Sequence, residues 1–148
     1  MKIQYVRQKD DFGCAVACIA MVTGISYDKV ARDFHANLKR EGIHPEQTRD
    51  YVLEHGFSGI EVIPTRYNNV PVTNARISKP FAEVHIVTVQ PRADSDLNHA
   101  IVMDKRGRVY DPDRPQHKDL SHYYCIVRVL GLFDERKKSG KQSRPTGA

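Results

Sequence analysis

Residues 14–22, CAVACIAMV, form a nearly unbroken apolar run between the charged loop QKDDFG and the pair Thr23-Gly24. That pattern predicts a short helix, buried on all sides, that begins after Gly13 and stops at Gly24. Ser26 reads as the N-cap of a second helix, with Asp28 and Lys29 in its first turn. A third helix fits HPEQTRDYVLEHGF, residues 44–57, with Pro45 in the first turn, Glu46 near the positive end and Gly56 closing it. Tyr51, Val52, Leu53 and Phe57 are expected to face inward. MKIQYVRQ alternates weakly and predicts a short N-terminal strand. Residues 58–80 are broken by three prolines and an Asn-Asn pair, so they are expected to be irregular apart from one short strand. Pocket-forming residues are expected between Gly59 and Pro80.

The second half of the chain reads differently. AEVHIVTVQP is β-branched and ends at a proline. HAIVMD, KRG and RVYDP predict two strands joined by a tight turn, with Gly107 in a left-handed conformation. YYCIVRVLGLF is a further strand. Helices first and antiparallel strands afterwards give an α+β domain.

Composition narrows the class. A chain of 148 residues with 40% hydrophobic and 28% charged side chains is long enough for one folded domain. The expected domain is 1–133, followed by a basic, disordered tail at 134–148. Five basic and two acidic residues fall in that tail, out of a formal net charge of +5 for the chain. The tail has no aromatic side chain to stack on a base, which argues against nucleic acid as the main partner. The N-terminus lacks the apolar core of a signal peptide, and no apolar run is long enough to span a bilayer. The expected location is cytoplasmic. Three cysteines, Cys14, Cys18 and Cys125, are an odd count that suits reduced thiols rather than a disulfide framework.

Cys14 is the candidate nucleophile. A thiolate reacts where its pKa is lowered, and a helix N-terminus does so through free N–H groups and the positive dipole end. Gly13 beside it would let a substrate come close to the sulfur. Cys18, one turn later, is expected to be a core residue. His99 opens one predicted strand, and Asp111 lies near the end of the next. If KRG forms the turn, Asp104 faces Arg108 and Ile101 faces Asp111, so His99 lies diagonal to Asp111 on the same face. A carboxylate there would orient the imidazole and support an imidazolium paired with a thiolate. Gln8, six residues before Cys14, can bring a side-chain amide beside the sulfur as an oxyanion donor.

Other residues compete for these roles. His85 is a rival base within EVHIVTV, without a matching carboxylate. Asp104, Asp113 and Asp119 are rivals to Asp111. No CxxC pair accompanies the seven histidines, which disfavours a zinc site. His35, His44, His55, His117 and His122 are expected at the surface.

QKDDFGCAVACIAMVTGISYDKV and HAIVMDKRGRVYDP together resemble the two conserved blocks of papain-like cysteine peptidases, specifically the bacteriocin-processing type that cuts leader peptides after a double glycine. In that family a Gln stands six residues before a Cys at a helix start, and a His and an Asp-Pro Asp follow. The resemblance implies a papain-like fold, with N-terminal helices on a C-terminal antiparallel sheet, and a Cys14, His99, Asp111 triad assisted by Gln8. It implies a peptide or protein substrate and no metal or organic cofactor. The family's glycine usually follows the cysteine, whereas here Gly13 precedes it and Ala15 follows. The membrane-spanning and ATP-binding parts that accompany many such peptidases do not occur in this sequence. The expected function is cleavage of a peptide or isopeptide bond. An idle binding module or an acyltransferase on the same fold are the alternatives.

Overall fold

A computed structural model describes residues 1–35, 37–63, 66–67, 70–71, 79–113 and 119–136. Three helices come first: α1 (Cys14–Thr23), α2 (Tyr27–Phe34) and α3 (Pro45–Glu54). Gly24 ends α1 in the left-handed conformation at φ 77°, and the Ser26 side chain caps α2 by accepting from Lys29 N. Pro45 opens α3, and the Gln47 side chain accepts from His44 N at 2.9 Å. Each of these signals is local, which is why it is readable in the sequence.

The strands are β1 (Phe57–Val62), β2 (Arg66–Tyr67), β3 (Val70–Pro71), β4 (Val84–Gln90), β5 (His99–Asp104), β6 (Val109–Tyr110) and β7 (Cys125–Asp134). Five of them form an antiparallel sheet in the order β1-β7-β4-β5-β6, and β2 and β3 form a separate ribbon. The β5–β6 hairpin pairs Val102 with Tyr110 and Met103 with Val109, and Gly107 in the turn has φ 86°. A register shift between Thr88 and Val89 of β4 interrupts the pairing with β7.

The sheet is buried on both faces, so β4 reads as a continuous apolar run instead of an alternating one. On one face Ile86, Ala100, Val102, Leu130 and Leu132 pack against α1 and its neighbours Tyr27, Val30, Tyr51 and Val52. On the other face Val87, Val89, Ile101, Met103 and Val129 pack with Leu120 and Tyr123, which belong to a 3₁₀ turn at Leu120–His122 and the residue after it. Helix α1 has nine of its ten residues buried, as an apolar helix lying against a sheet requires.

Some expectations are corrected. Residues 1–8 form no strand; isolated bonds from Tyr5 Oη to Asp111 O and from Gln8 N to Pro112 O dock the segment, without a ladder. Among the described residues the region after Phe57 holds three strands, not one: β1 gains its partner from β7, more than sixty residues later, and β2 pairs with β3. Leu53 is 40% exposed, so Thr48, Tyr51 and Val52 make the inward face of α3. The expected tail begins at the last residue of β7, and Arg136 donates to Thr23 O at the end of α1. Residues 137–148 and His117 lie outside the described residues.

Candidate active site

The site forms where the starts of two elements meet. Cys14 is the first residue of α1 and His99 the first of β5, and α1 packs along β5. Gly13 is the N-cap and supplies no side-chain cap. The first-turn N–H groups of α1 therefore point toward the Cys14 end without a side-chain capping oxygen.

His99 Nε2 lies 2.7 Å from Asp111 Oδ1. Period-2 alternation puts both residues on the sheet face that carries Ile101 and Met103, as the hairpin register demands. Asp111 is 3% exposed, and its carboxylate also accepts from Asp113 N at 2.8 Å and Tyr123 Oη at 2.6 Å. With Nε2 given to Asp111, Nδ1 is the ring nitrogen left to serve Cys14, which lines the same cleft. Burial opposes a charge on the imidazole. The hydrogen bonds with Asp111 and Cys14 outweigh it and push the His99 pKa up to about 10. Burial would raise the pKa of Asp111, but its bond with His99 holds it below the ordinary carboxylate value. The two shifts agree: the pair is an imidazolium against a carboxylate.

Gln8 lies in the loop before α1, and its Nε2 donates to Asp10 O at 3.0 Å and Asp11 O at 3.2 Å. Its two N–H bonds thus go to its own loop, and its buried Oε1 has no partner among the described residues. Cys18 is fully buried one turn below Cys14, and burial pushes its thiol well above the ordinary value. Cys125 is buried beside Gln90. Gly13 owes its identity to packing, since a Cβ there would collide with the hydroxyl of Tyr27. That hydroxyl donates to Asp10 Oδ2 at 2.9 Å and ties the loop to α2.

His85 is fully buried, its Nε2 accepts from Phe81 N and Ala82 N at 3.1 Å, and its Nδ1 faces Met103 O. Both ring nitrogens are thus engaged away from Cys14. Asp104 accepts from Arg106 N and Arg108 N in the hairpin turn, and Asp119 caps the 3₁₀ turn. His35, His44 and His122 are exposed and His55 is half-buried. Tyr123 was not singled out by the sequence: YYCIVRVLGLF reads as one strand from Tyr123, whereas β7 starts at Cys125 and Tyr123 stands before it with its hydroxyl on Asp111.

Cys14, His99 and Asp111 open onto a cleft of about 750 Å³, a size that suits a peptide segment. Its walls come from Asp11 and Phe12, from Ile43–Pro45 at the start of α3, and from residues 95–98 before β5. Ile86, Thr88, Arg128 and Leu130 form its floor. Of the stretch expected to form the pocket, Glu61 lines it.

The chain superposes on a crystal structure of a double glycine motif protease from an AMS/PCAT transporter, determined in complex with the leader peptide. The TM-score is 0.63 over 90% of this chain and 92% of that one, at 15% sequence identity. The fold is that of a double-glycine motif protease. At this identity the likeness is one of architecture, and no protein-family model or curated protein matches the sequence. The double-glycine protease fold accounts for the element order, with three helices ahead of a five-stranded antiparallel sheet. No helix among the described residues is long and apolar enough to cross a membrane.

Proposed function

We propose that this chain is a cysteine peptidase that cleaves an extended peptide lying along the cleft. The observation that carries the reading is the His99 imidazole, which bonds Asp111 through Nε2 at 2.7 Å and lines the same cleft as Cys14. Cys14, as thiolate, attacks the scissile carbonyl, and its carbon–sulfur bond forms as the carbonyl π pair moves to oxygen. His99, protonated by the thiol, passes that proton to the leaving amine as the C–N bond breaks. Water then attacks the acyl-enzyme with His99 as base and regenerates the thiol. Asp111 holds the tautomer and stabilises the imidazolium. The backbone N–H of Cys14 is one donor for the oxyanion. Gln8 supplies the second by exchanging one of its bonds to Asp10 and Asp11.

A free nucleophilic thiol suits a reducing compartment such as the cytoplasm, and all three cysteines are free. The substrate proposed first is a peptide with a double glycine before the scissile bond, by analogy with the structural relative. The test is the rate of Cys14 alkylation by iodoacetamide against pH, with and without His99→Ala, beside cleavage of double-glycine peptides. Rapid alkylation below pH 7 that depends on His99, together with cleavage abolished by Cys14→Ala, is expected. Alkylation that follows an ordinary thiol near pH 8.5 and ignores His99 would overturn the reading.

A further inference from the structure

Tyr123 reaches the site from the side of the sheet opposite the helices. It is 5% exposed and packs with Ile101, Met103 and Leu120. Its backbone is fixed on both sides, since Tyr123 N bonds Leu120 O at 3.2 Å and Tyr124 N bonds Gln90 O at 3.0 Å. The ring is therefore rigidly placed, and its hydroxyl donates to Asp111 Oδ2 at 2.6 Å. A phenylalanine would fill the same apolar space, so the hydroxyl has a purpose that packing does not explain.

The geometry of the Asp111 carboxylate supplies that purpose. His99 Nε2 and Asp113 N both bond Oδ1, at 2.7 and 2.8 Å. Rotation about the Cβ–Cγ axis swings both oxygens, and the Tyr123 bond adds a buried anchor at Oδ2, the oxygen that His99 does not bond. We propose that Tyr123 is a positioning residue: its hydroxyl fixes the plane of the Asp111 carboxylate, and through it the direction in which His99 meets Cys14. The proposal rests on the peptidase reading of the site and adds to it a residue outside the Cys14, His99, Asp111 set.

Burial, followed by the bond to Asp111, raises the Tyr123 pKa far above the ordinary phenol value, so the hydroxyl remains a donor over the whole working range. Among the described residues, the titratable groups near Asp111 and Tyr123 include Tyr5, which donates to Asp111 O, Asp113, Cys14 and Cys18 on α1, and His122, whose ring meets that of Tyr123 edge-on. Tyr5 and Cys18 are both shifted upward by burial. His44 and His122 also line the cleft, so a change in the alkylation profile between pH 5 and 9 is assigned to the Cys14–His99 pair when it is lost in the His99→Ala background.

The experiment is iodoacetamide labelling of the full chain, resolved by peptide mapping, for wild type, Tyr123→Phe and a protein carrying 3-fluorotyrosine at 123. In Tyr123→Phe the ratio of the Cys14 rate at pH 6 to that at pH 9.5 is expected to fall at least about twofold and at most about tenfold, the range that a one-unit rise in the thiol's apparent pKa spans. The 3-fluorotyrosine protein, which keeps the hydroxyl, is expected to retain the wild-type ratio. Slow labelling of buried Cys18 certifies that the fold is intact, and Tyr123→Met replaces the phenylalanine variant if that protection is lost. A wild-type ratio in a folded variant without the hydroxyl overturns the proposal while leaving the peptidase reading standing. A wild-type protein that labels as an ordinary thiol overturns both.

Discussion

His99 opens β5 and Asp111 directly follows β6, twelve residues later, and their side chains meet at 2.7 Å. The hairpin between them is tight, so the pairing is fixed by local register, and the meeting of His99 with Cys14 is fixed by how α1 packs on β5. The site thus depends on one local and one long-range relationship.

The first prediction concerns pH. Hydrogen bonds with Asp111 and Cys14 outweigh the opposing effect of burial and raise His99 from 6.5 to about 10. Its stabilisation is therefore complete below pH 6.5 and lost as pH rises toward 10. Asp111 is shifted below 3.8, so its contribution is present above that pH and is lost as pH falls further. Asp111→Asn should thus cost most between about pH 4 and 6.5, on the order of 3 kcal/mol, and markedly less at pH 9.5. Urea unfolding at pH 5 and 9.5 measures this, and equal costs at both would contradict the ion pair.

Gln8 separates two roles. As oxyanion donor, its loss in Gln8→Ala lowers kcat about 100-fold with little change in KM. Alkylation of Cys14 by iodoacetamide forms no oxyanion, so its rate and pH profile are expected to stay at wild type. A loss under tenfold in kcat, accompanied by a lower melting temperature, would assign Gln8 to the loop alone.

Gly13 and Tyr27 are coupled by contact. Gly13→Ala drives a methyl into the Tyr27 hydroxyl and is expected to cost about 1–3 kcal/mol. Tyr27→Phe removes the obstructing oxygen and its bond to Asp10. A double-mutant cycle on unfolding free energies should show the Gly13→Ala cost reduced by roughly 1 kcal/mol in the Tyr27→Phe background. Strict additivity would show that the collision is not what selects glycine.

His85 serves as a negative control for the base. His85→Leu leaves the Phe81 and Ala82 N–H groups without the ring nitrogen they bond, and should cost about 2–3 kcal/mol of stability. The pH profile of Cys14 alkylation should not move. A profile displaced as far as that of His99→Ala would transfer the role of base to His85.

The sequence by itself determined the starts and stops of the helices, because Gly24, Ser26 and Pro45 act on the backbone within a turn of where they stand. It also determined the β5–β6 register: side chains alternate with period two, and a three-residue turn leaves one pairing that puts His99 and Asp111 on a common face. Cys14 at the head of an apolar helix was legible for the same local reason. Only the tertiary structure decided that β1 pairs with β7, that His85 spends both ring nitrogens in the core, and that Gly13 makes room for Tyr27. It alone brought Tyr123 to Asp111. Each of these depends on contact between segments whose order in the chain says nothing of their distance, and burial selects the partners after the local elements have formed.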